Sequence, residues 1–156
     1  ILAWLPAEIP VRENVALTEL VAARHRSHRV RPDADTLLAD AGLTEWADRQ
    51  AGTLDYGNQR RLELARAAAL APDFLLLDEP TSGMSDQESQ AMVESVRSVA
   101  TRVGAGVLVI DHDLGFITRI SDHIVVLNEG RILAEGTPAA VRANPLVAEA
   151  YLGSSA

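Results

Sequence analysis

The chain has 156 residues, of which 47% are hydrophobic and 23% charged, and those proportions exclude a disordered or fibrous chain. It holds no cysteine, which rules out disulfides, thiolate metal sites and cysteine nucleophiles. Acidic residues outnumber basic ones 22 to 14, for a net charge of −8, which argues against a general nucleic-acid binder. All the basic residues are arginine, so no site in the chain has a lysine.

No basic run precedes an apolar stretch near Ile1, so no signal peptide is expected. The longest apolar runs, Phe74–Leu77 and Gly106–Ile110, fall far short of the about 20 residues a membrane span needs. A soluble, cytoplasmic-type segment is expected, cut from something longer because it opens without a methionine. Residues 12–72 are helical in character. Over Glu13–Arg26, Val15, Leu17, Leu20 and Val21 fall near one face. The basic run Arg24–Arg31 closes at Pro32 and reads as a solvated helix end. Asp33–Leu43 reads as a short helix ended by Gly42, with a further turn from Thr44 to Asp48. Gly57–Leu70 is a third helix, stopped by Pro72.

After Pro72 the pattern alternates. Phe74–Leu77, Val107–Ile110 and Ile124–Leu127 suit fully buried parallel strands. Asp86–Val103 is long and polar enough for a crossover helix, with Ser85 and Glu88 as its capping box. Asn128-Glu129-Gly130 turns the chain into Arg131–Ala134 as a hairpin partner. Thr137-Pro138 opens a C-terminal helix, broken at Asn144-Pro145. Trp4, Trp46, Tyr56 and Tyr151 are too scattered for a stacking surface and read as core or edge packing.

Chemistry concentrates in three segments. Phe74–Leu77 runs into Asp78-Glu79-Pro80, which places two carboxylates at the C-terminal end of a buried strand, the edge where open α/β sheets bind ligands. Such a carboxylate can hold Mg²⁺, and a second can orient an attacking water. Leu54-Asp55-Tyr56-Gly57-Asn58-Gln59 opens a helix and offers backbone N–H groups to an anion, or else Asp55 simply caps the helix. Asp111-His112-Asp113 follows the strand Val107–Ile110, which directs His112 to the same sheet edge.

In this order and spacing, the three segments resemble the ATP-binding cassette (ABC) ATPases. LDYGNQRRLELARA looks like the signature motif and helix, FLLLDEP like the Walker B strand with its glutamate, SGMSD like the loop that follows, and VLVIDHD like the switch strand and histidine. ENVAL is similar to the start of the family's helical subdomain. The Tyr-Gly signature with two arginines, the Gly83-Met84 pair and the tail NPLVAEAYLG look like importer subunits of the branched-chain amino acid and urea class. Lipopolysaccharide-export ATPases are similar in several segments.

The resemblance implies a partial P-loop α/β fold: a helical subdomain at 1–72, then at 73–156 the C-terminal part of a mostly parallel sheet with flanking helices. It implies ATP and Mg²⁺ as cofactors, with Asp78 serving the metal, Glu79 polarising water and His112 contacting the γ-phosphate. Leu54, Asp55, Tyr56, Gly57, Asn58 and Gln59 would contact ATP held by a second ATPase subunit, together with Ser82, Gly83, Met84 and Ser85. The other partners implied are transmembrane permease subunits, placing the protein on the cytoplasmic face of the membrane, with no nucleic acid. Three departures stand out. The G-x-x-x-x-G-K-[ST] loop is absent, and Gly104-Ala105-Gly106 is no substitute because it enters a strand. The chain alone is therefore expected to be inactive, and a truncated module acting in binding or assembly is the competing reading. Asp55 replaces the family's usual serine and reads as an N-cap. Ser85 replaces an acidic residue and is accounted for by its capping box.

Overall fold

A computed structural model describes residues 6–22 and 31–152, which form two compact units, one ending at Asp111 and one beginning at His112. Trp4 and residues 24–30 of the basic run lie outside the described residues. In the first unit, α1 (Val11–Ala22), α2 (Ala34–Asp40) and α3 (Tyr56–Ala68) pack on one another, and α4 (Asp86–Val103) packs on α2 and α3. Two 3-10 turns, Thr44–Trp46 and Ala51–Thr53, lead from α2 to α3. Strands β1 (Phe74–Asp78) and β2 (Gly106–Ile110) pair in parallel, with α4 between them in sequence. The second unit holds α5 (Leu114–Ile120), the antiparallel pair β3 (Ile124–Asn128) and β4 (Arg131–Gly136), then α6 (Pro138–Arg142) and α7 (Pro145–Leu152).

The helix starts follow from side-chain caps. Asp33, Asp55, Ser85, Asp113 and Thr137 are all extended at the N-cap and accept from first-turn amides, which satisfies donors that the helix itself leaves open. The stops are equally local. Gly42 (φ +70°) and Gly104 (φ +64°) take the left-handed conformation after α2 and α4, where a side chain would be strained. Glu129 and Gly130 both have positive φ, as a two-residue hairpin turn of the mirror-image type requires.

Helix α4 buries one face against α3 and α2. Met92, Val93, Val96, Val99 and Val103 are buried on it, against Leu62, Leu64, Ala65 and Ala68 of α3 and Leu37 and Leu38 of α2. Each fully buried Leu or Val stabilises by about 1.5–3 kcal/mol. Polar contacts reinforce the α2–α4 contact. Arg102 Nε donates to Asp40 Oδ2 at 2.7 Å, Ser98 Oγ donates to Asp40 Oδ1 at 2.7 Å, and Ser95 Oγ donates to the Ala41 carbonyl at 3.1 Å. The compact units part at residue 111, because α4 packs with the helices before it. In the second unit the core is Phe116, Ile124, Val141 and Val147.

The strands differ from expectation. Leu75 is buried, but Phe74 (68%), Leu76 (73%), Leu108 (57%) and Ile110 (62%) are exposed. Apolar residues on both faces are what a sheet covered on two sides needs, and the described residues cover one. The Ile124 strand pairs antiparallel with β4, as the hairpin turn at Asn128-Glu129-Gly130 led one to expect, but it is half open where full burial was expected, with Leu127 and Ile132 exposed.

The Asp40 contact yields a pH-linked prediction. Hydrogen bonding from Arg102, and secondarily from Ser98, holds the Asp40 carboxyl below its ordinary value of 3.8 against the opposing effect of burial. A depressed acid contributes stability that is present above its unfolded value and lost as pH falls. Asp40→Ala is expected to cost about 1–2 kcal/mol in urea unfolding at neutral pH. That difference from wild type should shrink as the pH is taken below the ordinary carboxylate value.

Candidate functional site

The site starts from a strand end. The β1–β2 register sets Asp78 opposite Ile110, and the Glu79 N–H donates to the Ile110 carbonyl at 2.7 Å, one residue beyond the strand. Glu79 itself sits at φ +45°, a left-handed conformation that costs a non-glycine residue about 1–3 kcal/mol and persists only where its surroundings impose it. The imposing contacts are visible. Thr81 N–H and Oγ1 both donate to Asp111 Oδ2, at 3.2 and 2.6 Å, and Ser82 N–H returns to the Glu79 carbonyl at 3.2 Å. Met84 N–H then donates to the Thr81 carbonyl, and Gly83 takes φ +77°. The Asp78 and Glu79 side chains are exposed at this edge, while Pro80 and Thr81 beneath them are buried.

The second part is the N-terminal turn of α3. Asp55 Oδ1 accepts from the Asn58 N–H at 2.8 Å, and its Oδ2 accepts from Asn58 Nδ2 at 2.9 Å. The carboxylate is thus spent on the helix end, where its charge also meets the positive end of the helix dipole. The Tyr56 and Gly57 amides take no part in that cap. Leu54 and Asn58 are 4% exposed, so their side chains belong to the protein interior. Gln59 Nε2 donates to the Leu54 carbonyl at 2.9 Å, and Arg61 Nη2 donates to Asn58 Oδ1. Tyr56 differs from the core or edge reading: its ring is 45% exposed, with the Arg60 guanidinium carbon 5.1 Å from its centroid. Glu63 and the Tyr56 hydroxyl accept from Arg60, and together, Glu63 foremost, they hold that guanidinium more firmly protonated.

The two parts touch. A Cβ built on Gly57 would stand 3.3 Å from Glu88 Oε1 and 3.7 Å from Asp55 Oδ1, and one on Gly83 would meet the Tyr56 ring at 3.9 Å. Glu88 Oε2 meanwhile accepts from Ser85 N–H and Oγ, closing the capping box of α4. These bonds from Ser85 hold the Glu88 carboxyl below its ordinary value, with Arg61 adding a smaller share. The loop Ser82–Ser85 and the turn Asp55–Asn58 are therefore neighbours in one unit.

His112 opens the second unit and is exposed; its neighbour Asp113 caps α5 by accepting from Gly115 and Phe116 amides. Among the described residues no group of three or more His, Asp or Glu could hold a metal ion by itself. Asp78 offers one hard carboxylate, which fits the way Mg²⁺ is held when water and phosphate oxygens fill its remaining positions. Sequence reasoning missed Asp111 as the partner of Thr81, Arg61 as the partner of Asn58, and the approach of Glu88 to Gly57. The Arg61–Asn58 pair is an i, i+3 contact within α3 that helical spacing could have offered, whereas the other two have no local sequence signal, because they depend on the parallel register and on helix packing.

Comparison with known proteins agrees with the geometry. The ABC transporter family model matches residues 3–82, and that of the branched-chain amino acid ATP-binding cassette transporter matches residues 131–156. The chain belongs to the ABC transporter family. It is similar to the high-affinity branched-chain amino acid transport ATP-binding protein BraF of Pseudomonas aeruginosa, 46% identical over 76% of this chain and 46% of BraF. LivG of Salmonella typhimurium, of the same description, is 40% identical over 89% of this chain and 54% of LivG. The chain thus spans about half the length of the curated relatives it matches. The ADP conformation of MJ1267, an ATP-binding cassette of an ABC transporter, superposes with a TM-score of 0.71 at 26% identity, over 94% of this chain and 64% of that one. The fold class read from the sequence, α/β with a helical subdomain followed by part of a mostly parallel sheet with flanking helices, is that of the ATP-binding cassettes it superposes on, with β1 and β2 as the parallel strands.

The Thr81–Asp111 contact can be tested directly. Thr81→Val removes the hydroxyl donor and leaves a half-buried Asp111 oxygen short of it, which is expected to cost about 1 kcal/mol in denaturant unfolding. Thr81→Ser keeps the donor and should lie within about 1 kcal/mol of wild type.

Proposed function

We propose that the chain is the C-terminal part of an ATP-hydrolysing domain that energises an ABC importer of branched-chain amino acids. The observation that carries this reading is the strand end: Asp78 and Glu79 exposed at the C-terminal edge of β1, with Glu79 held left-handed by Ile110 and the loop after it. A carboxylate so pinned through its backbone is restricted in direction, as a group that orients an attacking water must be. Asp78 is the residue to serve Mg²⁺, which when bound supplies neutralisation of phosphate charge. His112 contacts the γ-phosphate.

The α3 turn acts on nucleotide held by a second ATPase subunit, identical or not. Because Asp55 is engaged by Asn58, the Tyr56 and Gly57 amides are the donors we assign to that phosphate, and an N-terminal helix end favours such an anion. Gln59 orders this turn through Leu54, while Ser82, Gly83, Met84 and Ser85 form the loop beside it. The cradle for the chain's own nucleotide comes from outside these residues, since no lysine is present, so the 156 residues alone do not turn over ATP. The exposed apolar face of β1 and β2 supports the same reading, as the part of a larger sheet that awaits its cover. Residues 12–72 dock the transmembrane permease subunits, and the protein works peripherally on the cytoplasmic face of the membrane.

The test uses the complete polypeptide. Glu79→Gln is expected to retain MgATP binding and to lose hydrolysis by about 100-fold or more, read by nucleotide retention and phosphate release. Full turnover by that variant would overturn the assignment.

A further inference from the structure

Two segments distant in sequence run side by side where the chain enters α1. Gly52 N–H donates to the Ala7 carbonyl and Ala51 N–H to the Ile9 carbonyl, both at 3.0 Å. In return, Val11 N–H donates to the Arg49 carbonyl and Arg12 N–H to the Ala47 carbonyl, both at 2.9 Å. Pro10 and Gln50 form an antiparallel bridge between these bonds. The contact is close as well as bonded: a Cβ on Gly52 would lie 3.0 Å from the Ala7 Cβ and 3.2 Å from the Ala7 oxygen. Any larger side chain at 52 must push the two segments apart.

Asn14 holds the incoming segment in its bend. It is fully buried, and its Nδ2 faces the carbonyls of Pro6 (3.1 Å), Ile9 (3.4 Å) and Pro10 (3.2 Å). On the other side, the path from Gly52 to α3 has little slack. Thr53 N–H and Oγ1 both return to the Gln50 carbonyl, and Leu54 N–H returns to Ala51. The Leu54 side chain is buried, its carbonyl accepts from Gln59 Nε2, and Asp55 then caps the helix. A shift of the incoming segment therefore meets hydrogen bonds at every residue before the α3 turn.

We infer that Ala7–Arg12 and Ala47–Gly52 move as one body that sets the position of the Leu54–Asn58 turn, with Asn14 and Gly52 as positioning residues. The inference rests on the reading of that turn as a phosphate contact. Neither Asn14 nor Gly52 touches nucleotide in this arrangement; both act through the turn.

These 156 residues contribute no cysteine, and the cross-link test is made with any cysteine elsewhere in the complete polypeptide replaced by serine. In the complete polypeptide, assembled as it works, Ala7→Cys with Gly52→Cys should form a disulfide on mild oxidation, after an outward shift toward the usual Cβ separation of about 3.8 Å. MgATP hydrolysis by the oxidised protein is expected to keep kcat and KM within about twofold of the reduced form, because segments that move together lose nothing when tied. Gly52→Val, which forces them apart, is expected to raise KM for MgATP about tenfold with a smaller change in kcat, the pattern of lost binding and not of a lost chemical group. Asn14→Ala should do the same to a lesser degree. The inference is overturned if no disulfide forms, if oxidation stops turnover that reductant restores, or if Gly52→Val keeps the wild-type KM. Should Gly52→Val fail to fold, the cross-linked pair decides. A wild-type protein that hydrolyses no MgATP would instead sink the proposed function, and the cross-link yield would still report on the pairing.

Discussion

The parallel register of β1 on β2 is the constraint on which the candidate site depends. With Asp78 opposite Ile110, the Ile110 carbonyl is left to take the Glu79 amide, and Asp111 arrives beside Thr81. A slip by one residue would send each side chain to the opposite face of the sheet, and Glu79 would lose the bond that holds it left-handed. Helix α4, the crossover between the two strands, packs its buried valines onto α3 and α2.

Charge is used economically in this acidic chain. Asp33, Asp55 and Asp113 all spend their carboxylates on helix N-termini, and Glu88 does so within its capping box. Carboxylates placed this way are stabilised by the amides and by the helix dipole. At Asp55 this bears on the proposed phosphate contact. A negative charge beside a phosphate would cost about 1 kcal/mol at 4 Å in water and several times that in a less polar setting, but a carboxylate already satisfied by Asn58 leaves neighbouring amides to meet the anion. Arginine takes the opposite part throughout, clamping Asp40 from α4, Asn58 from within α3, and stacking on Tyr56 and Trp46.

The helical layer buries Val11, Val15, Leu37, Leu43 and Leu62 fully, but leaves Leu17 and Leu20 of α1 exposed. The strand pair is closed on one side only. That asymmetry fits a chain which spans about half the length of its curated relatives, and it explains why strands composed for burial on two faces show Phe74 and Leu76 to solvent.

The sequence by itself determined what depends on near neighbours. The caps at Asp55, Ser85 and Thr137, the stop at Gly42, the hairpin turn at Glu129-Gly130 and the four strands were all legible, because each signal and its consequence lie within a few residues. The segments LDYGNQ, FLLLDEP and IDHD were legible for the same reason, and with them the family. Boundaries moved by a residue or two where fraying is decided by packing, as at Val11, where α1 begins earlier than its apolar spacing suggested. Only the tertiary structure decided which distant residues would meet: Thr81 with Asp111, Arg102 with Asp40, Glu88 with Gly57, Gly52 with Ala7. Each of these pairs is chosen by a register or a helix contact that buries apolar surface elsewhere, and polar partners take whatever places that burial leaves them.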